Sequence, residues 1–156
     1  MNQSDQLRSL KLHLYDRCRQ YVRQRLETAR QAMEAAQEAA NAESKSSAGD
    51  KYETGRAMAQ LDRDRHAQLL AEALKLQRDL DQISPDKPCA TVGPGALVQT
   101  SRGTFFISIS AGKLLHDGTE YLAVSAASPI GNALAGRSAG DVVTFNAQPY
   151  QIERVS

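Results

Sequence analysis

Two long stretches of helical periodicity, separated by a short polar break, constrain the fold of this chain more than any other feature. In the first stretch the apolar residues at spacings of three and four are Leu7, Leu10, Leu14, Cys18, Tyr21, Leu26, Ala29, Met33, Ala36 and Ala40. In the second they are Met58, Leu61, Leu69, Ala73, Leu76, Leu80 and Ile83. Neither amphipathic helix can bury its stripe alone, so the pattern predicts an antiparallel coiled-coil hairpin.

The break between the two stripes, Ser46 to Glu53, is predicted to form the turn of this hairpin, with its tip near residues 44–53. Helices from about Ser4 to Glu43 and from about Asp50 to Ile83 would be roughly 60 Å and 50 Å long at 1.5 Å per residue. Asp50 and Glu53 place two carboxylates at this turn. We therefore expect any chemistry to sit at the tip.

A change of composition divides the chain after the second stripe. Residues 1–91 carry 15 Lys/Arg and 14 Asp/Glu, whereas residues 92–156 carry four of each. Two prolines, Pro85 and Pro88, end the helical pattern and predict a short stiff linker. The predicted organisation is therefore a helical finger over 1–84, a linker over 85–91 and a second domain over 92–156.

The second domain has the pattern of short strands separated by turns, rich in β-branched and aromatic residues. Strands are predicted over 96–100, 104–110, 120–125, 141–145 and 150–155. A short helix is predicted after Ser128, with Ser128 as N-cap, Pro129 at the first helical position and Gly136 at the exit. This combination predicts a small α+β domain whose antiparallel sheet wraps one helix, and Phe105, Phe106, Phe145 and Tyr150 are expected to fill its core.

Charge and cysteine content narrow the function. The formal net charge of +1 gives no case for bulk electrostatic binding to nucleic acid or membranes, and no sequence-specific DNA binding is expected. There is no apolar run long enough to cross a bilayer, and the polar start is unlike a signal peptide. Cys18 and Cys89 suggest neither a disulfide framework nor a metal site, so a reducing cytoplasm is expected.

No enzyme motif is present in the sequence. His13, His66 and His116 are predicted to be isolated from one another and from either cysteine, which argues against a zinc site or a Cys-His pair. Gly93-Pro94-Gly95 is predicted to be a turn and not a phosphate loop, because no Lys-Ser/Thr follows it.

The segment from Ser128 to Val143 resembles the signature of the C-terminal domain of the bacterial Gre transcript-cleavage factors. The shared elements are Ser-Pro, then Ala-Leu-x-Gly-Arg, then Gly-Asp, and a final Tyr-x-Ile strand matched by Tyr150-Gln151-Ile152. The fingertip of that family reads Gly-Asp-x-x-Glu, and Gly49, Asp50 and Glu53 supply its three defined positions. In that family a coiled-coil finger precedes an FKBP-like domain, so the resemblance covers both halves in order.

The resemblance implies a transcription elongation factor that is not itself an enzyme. The FKBP-like half would dock on RNA polymerase at the rim of its secondary channel, and the finger would enter the channel. Asp50 and Glu53 would then help to hold the second catalytic Mg²⁺ and its water, so that the polymerase cleaves the 3′ end of backtracked nascent RNA. The free protein is expected to bind no metal. A two-metal hydrolysis needs carboxylates to position the looser ion, which suits this division of labour.

Three alternatives stay open at the sequence level. Asp50 and Glu53 have the spacing of a capping box, so they could cap the second helix whether or not they also act in cleavage. Lys45, Lys51 and Arg56 surround them with positive charge, which would suit a channel-binding regulator that does not promote cleavage. An FKBP-like domain also suggests a peptidyl-prolyl isomerase, although the region has few aromatic residues for a proline pocket.

Overall fold

The computed structural model describes residues 2–46 and 49–156, with side chains described for 2–42 and 53–156. The helices are α1 (Gln3–Ser46), α2 (Gly49–Asp81) and α3 (Pro129–Leu134). The strands are β1 (Leu97–Thr100), β2 (Gly103–Ser108), β3 (Gly112–His116), β4 (Thr119–Ser125), β5 (Val142–Phe145) and β6 (Gln148–Val155). The predicted class, a helical hairpin followed by a small α+β domain, is confirmed. Residues 47 and 48 of the predicted turn lie outside the described residues.

The two long helices pack against each other in antiparallel orientation. The hydroxyl of Tyr15 on α1 donates a hydrogen bond to the carbonyl oxygen of Leu80 on α2, over 3.0 Å. Further along α1, Gln37 Oε1 accepts a hydrogen bond of 3.2 Å from the guanidinium of Arg63. The earlier residue of α1 therefore meets the later residue of α2, as an antiparallel hairpin requires.

The stripe predicted on α1 is confirmed, since each of its ten residues is buried or half-buried. On α2 the prediction was wrong for Met58, Leu61 and Leu69, whose exposed fractions are 63%, 63% and 43%. The residues of α2 between 53 and 77 that are not exposed are Gly55, Ala59, Arg63, His66, Leu70, Ala73 and Leu76. Successive residues of an α-helix are about 100° apart around its axis. Since Leu70 and Ala73 lie in the seam between the helices, Leu69 lies to one side of that seam.

The chain forms two compact units, one of them discontinuous. The first contains residues up to Tyr21 together with Arg78–Ser156, and the second contains Val22–Gln77. Both ends of the hairpin belong to the unit that holds the sheet, and the division into a finger over 1–84, a linker over 85–91 and a domain over 92–156 stays a prediction. Residues 92–156 therefore do not account for all of that unit.

The sheet has six strands in the order β3-β4-β2-β1-β6-β5. The sequence predicted five strands and a wholly antiparallel sheet, and both points need correction. Strand β3 was not predicted, and β2 pairs with β4 in parallel, with Phe106 opposite Ala123. Strand β3 lies at the edge of the sheet and pairs with β4 in antiparallel orientation. The chain therefore reverses its direction twice between β2 and β4, so that these two strands run parallel.

Opposite faces of the sheet are buried by different helices. On one face, alternate residues such as Phe105 and Ile107 join a core with Leu134 of α3. On the other face Phe106 is fully buried, and Ser108 Oγ lies 3.5 Å from the Cys18 sulfur of α1. Burial on both sides explains why four consecutive residues of β2, from 105 to 108, are all buried.

Candidate functional site

The first turn of α2 holds the two carboxylates predicted to form the site. The helix begins at Gly49, so Asp50 is its second residue and Glu53 its fifth. The side chain of Glu53 is exposed, whereas that of Asp50 lies outside the described residues. Residues three apart share one face of a helix, and carboxylates in a first turn interact favourably with the helix dipole.

The start of α2 bears on the capping-box interpretation of these acids. An N-cap residue precedes the first helical residue, whereas the backbone of Asp50 is already helical. Helix starts are defined to within one or two residues, and residues 47 and 48 lie outside the described residues, so the capping box stays a prediction. With or without such a cap, two carboxylates at this end of the helix interact favourably with its dipole.

A polar cleft lies in the hairpin unit, one turn beyond Glu53. The volume of this cleft is about 300 Å³. Its lining consists of Gln37, Ala40, Asn41, Arg56, Ala59, Gln60 and Arg63. The guanidinium of Arg63 is held by Gln37 Oε1 and by Gln60 Oε1. Two guanidinium groups without a carboxylate among these lining residues give the cleft the chemistry of a phosphate contact.

The Ser-Pro part of the signature segment builds α3. Ser128 Oγ accepts a hydrogen bond of 3.1 Å from the Gly131 amide and donates one of 2.6 Å to the carbonyl oxygen of Ser125. This confirms Ser128 as the N-cap, with Pro129 in the first turn. A Cβ on Gly131 would lie 2.1 Å from the Ser125 carbonyl oxygen, so only glycine fits there.

The Gly-Asp part of the signature ties the exit of α3 to the last strand. Asp141 Oδ2 accepts a 2.8 Å hydrogen bond from the Ser138 amide. The amide of Gly140, whose φ is 95°, donates to the carbonyl oxygen of Ile152, and the Ile152 amide donates back to that of Asp141. The Tyr-x-Ile strand is thus joined to the Gly-Asp turn, and both parts of the signature have a structural role.

The predicted aromatic core is formed in part. Tyr150 contacts Phe105 and Phe145, with ring centroids 6.2 Å and 6.3 Å apart. The guanidinium of Arg102 lies 5.8 Å from the centre of the Tyr150 ring. Phe106 is buried on the opposite face of the sheet and takes no part in this cluster.

The histidines are arranged differently from the prediction of three isolated residues. The rings of His13 and His116 stack with centroids 4.8 Å apart, so the prediction was wrong for this pair. The wrong prediction follows from β3, a strand that the sequence analysis did not predict and that ends at His116. Among the described residues, no group of three His, Cys, Asp or Glu side chains is placed to hold a metal ion.

One buried charged residue was missed from the sequence. Lys11 is only 2% exposed, and its ammonium group donates to the carbonyl oxygens of Lys87 (2.9 Å) and Ser156 (3.1 Å). A signal was available, because Lys11 falls between Leu7 and Leu14 at the four- and three-residue spacings of the α1 stripe.

Comparison with known proteins adds one distant structural likeness. No protein-family model and no curated protein matches the sequence. Among solved structures, the chain is similar to the crystal structure of GreA factor homolog 1 (Gfh1) of Thermus thermophilus. The identity is 20%, the match covers 91% of this chain and 94% of that one, and the TM-score is 0.33. Similarity at this level does not establish a family, so the functional argument rests on the residues themselves. None of the described helices is long and apolar enough to span a membrane.

Proposed function

We propose that this protein is a Gre-type transcription elongation factor, which binds the secondary channel of RNA polymerase and stimulates cleavage of backtracked nascent RNA. The observation that carries the proposal is the presence of two separate motifs in one chain. A Gly-Asp-x-x-Glu sequence opens the second helix of a long hairpin, and the Ser-Pro to Gly-Asp signature builds the helix of a small α+β domain. The proposal places the protein in the cytoplasm of a bacterium.

In this proposal the protein is a cofactor of the polymerase and not an enzyme on its own. Asp50 and Glu53 are the residues that would help to hold Mg²⁺, and the donor set fits because Mg²⁺ is often bound by one or two carboxylates and several waters. When bound, the ion supplies a polarised water and stabilises the leaving oxygen. Two carboxylates are too few to hold it alone, so retention would require the polymerase.

The test is cleavage of backtracked transcripts by purified polymerase complexes, with Asp50→Asn, Glu53→Gln and the exposed acid variant Glu72→Gln of the same helix as a matched control. An amide is a poor Mg²⁺ ligand, so Asp50→Asn should lower the cleavage rate at least tenfold, Glu53→Gln by less, and Glu72→Gln not at all. Each variant should still compete with the unchanged protein for polymerase. Cleavage by Asp50→Asn at the unchanged rate across a Mg²⁺ titration would contradict the role of the tip acids.

A second candidate is a regulator that occupies the polymerase channel without promoting cleavage. The cleft that contains Arg56 and Arg63, close to the acids on α2, favours this alternative, since cations oppose metal retention and attract phosphate. If it is correct, the unchanged protein binds polymerase and slows elongation, while the cleavage rate stays at that of polymerase alone.

The two cavities described in the sheet-containing unit do not support the peptidyl-prolyl isomerase alternative. The described cavities there are lined by one aromatic residue, Tyr121, whereas a proline pocket needs several aromatic walls.

A further inference from the structure

The environment of Lys11 is unusual because a buried ammonium group is compensated mainly by backbone carbonyls. Burial lowers the pKa of Lys11, while the nearby Cys89 and Asp86 oppose this shift. A lysine has three N–H donors, and the two described hydrogen bonds go to Lys87 and Ser156. One donor therefore remains for an acceptor beside these carbonyls.

A cavity of about 310 Å³, with Lys11 among its lining residues, lies within the unit that holds the sheet. Its cationic lining residues are Arg8, Lys11, Lys87 and Arg154, and its acidic ones are Asp5 and Asp86. These four cations come from α1, from the segment before β1 and from β6, so the fold brings them together from three distant parts of the sequence. The side chains of the lining therefore include four cations and two carboxylates.

Apart from Ser4, Cys89 and Ser156, the remaining lining residues of the cavity are apolar. They include Leu7, Pro85, Pro88 and Val155. Ligand sites combine such apolar walls with a few polar groups, and volumes of about 300–1,000 Å³ are usual. The cavity is therefore large enough for a small organic molecule and not only for a single ion.

We propose that this cavity binds a small phosphorylated molecule, with the phosphate near Lys11 and Arg154 and an apolar body against the proline and leucine walls. A phosphate is an anion that suits these cationic side chains, and guanidinium groups bind phosphate oxygens in bidentate fashion. The third donor of Lys11 completes the contact. This inference does not depend on the proposed action on RNA polymerase.

Isothermal titration calorimetry of the whole protein tests the proposal, with inorganic phosphate, phenyl phosphate and benzoate as probes at constant ionic strength. We expect saturable one-site binding of both phosphates, with phenyl phosphate several-fold tighter because its ring covers the apolar walls. Benzoate should bind at least tenfold more weakly than phenyl phosphate. Equal affinities for benzoate and phenyl phosphate would overturn the preference for phosphate, and absence of saturation with either phosphate would overturn the site.

Variants locate the binding in this cavity. Arg154→Gln and Lys11→Met should each weaken phenyl phosphate binding at least tenfold, whereas Lys113→Met, at an exposed lysine of the same unit, should leave it unchanged. Because Lys11→Met also removes a hydrogen-bond donor from the oxygens of Lys87 and Ser156, Arg154→Gln serves if that variant does not fold. Unchanged binding by a folded Arg154→Gln variant, or an equal loss with Lys113→Met, would place the phosphate elsewhere and overturn the proposal.

Discussion

The signature segment of the sheet-containing unit and the acidic first turn of α2 both match one family pattern, but the structure accounts for them differently. In the signature, Ser128 caps a helix, Gly131 fits where a Cβ would collide with a carbonyl, and Asp141 holds a turn. In the hairpin, the described backbone gives Glu53 no comparable task, and its side chain is exposed. A motif that the fold requires is evidence for the fold, whereas a motif that the fold does not require is better evidence for function.

The largest effect expected from this contrast is the loss of stability in Gly131→Ala. The added methyl group would lie 2.1 Å from the Ser125 carbonyl oxygen, so α3 must move away from the end of β4. Overpacking of this kind costs about 3 kcal/mol or more of unfolding free energy. Gly93→Ala is the matched control, because a Cβ at Gly93 meets nothing within 4 Å. Chemical denaturation of the two variants measures the difference, and equal stabilities would show that α3 can shift freely.

A moderate effect is expected in the hairpin, where neighbouring leucines of α2 differ in burial. Leu70→Ala removes a half-buried side chain from the seam and should cost about 1–2 kcal/mol, whereas Leu69→Ala, at a residue 43% exposed, should cost about 0.5 kcal/mol or less. Thermal unfolding of both variants is the measurement. A larger loss for Leu69→Ala would mean that the seam of α2 follows the stripe predicted from the sequence.

The smallest effect on stability is expected from the tip acids, although these variants should affect cleavage most. Asp50→Asn and Glu53→Gln each remove one favourable charge from a helix terminus, which is worth about 0.5 kcal/mol. Circular dichroism during thermal unfolding, at low and high salt, measures this loss and its screening. A loss of about 2 kcal/mol that persists at high salt would show that the acids have a structural role, and the contrast with the signature would fail.

Much of the fold could be predicted because the residues that specify it act locally. The stripe on α1 and the Ser128-Pro129 start of α3 each depend on neighbours within one or two turns. The hairpin of β3 and β4 also had a local sequence signal, the pair Asp117-Gly118. Both residues adopt positive φ, which is the combination that a tight type I′ turn requires. This strand was therefore missed although the sequence contained its signal.

Other features could not be predicted because partners distant in sequence decide them. The outward orientation of Met58 and Leu61 depends on which face of α2 meets α1, and several apolar faces were available. Burial of Lys11 is a second case, since its acceptors are 76 and 145 residues away. The tip acids were found from their position at the break between the two helical stripes, whereas their role in cleavage was inferred from the resemblance alone.

The division of the chain into a continuous and a discontinuous unit has a consequence for the order of folding during synthesis. Residues 22–77 form one continuous unit, so its helices can pair while the rest of the chain is still being made. The other unit needs β6, which lies between β1 and β5, and the Ser156 carbonyl that receives Lys11. The first residues of this unit therefore cannot complete their contacts until its last residues have been synthesised. Contacts between residues so distant in sequence form slowly. During that interval the face of the first helix that later covers the sheet is exposed to chaperones.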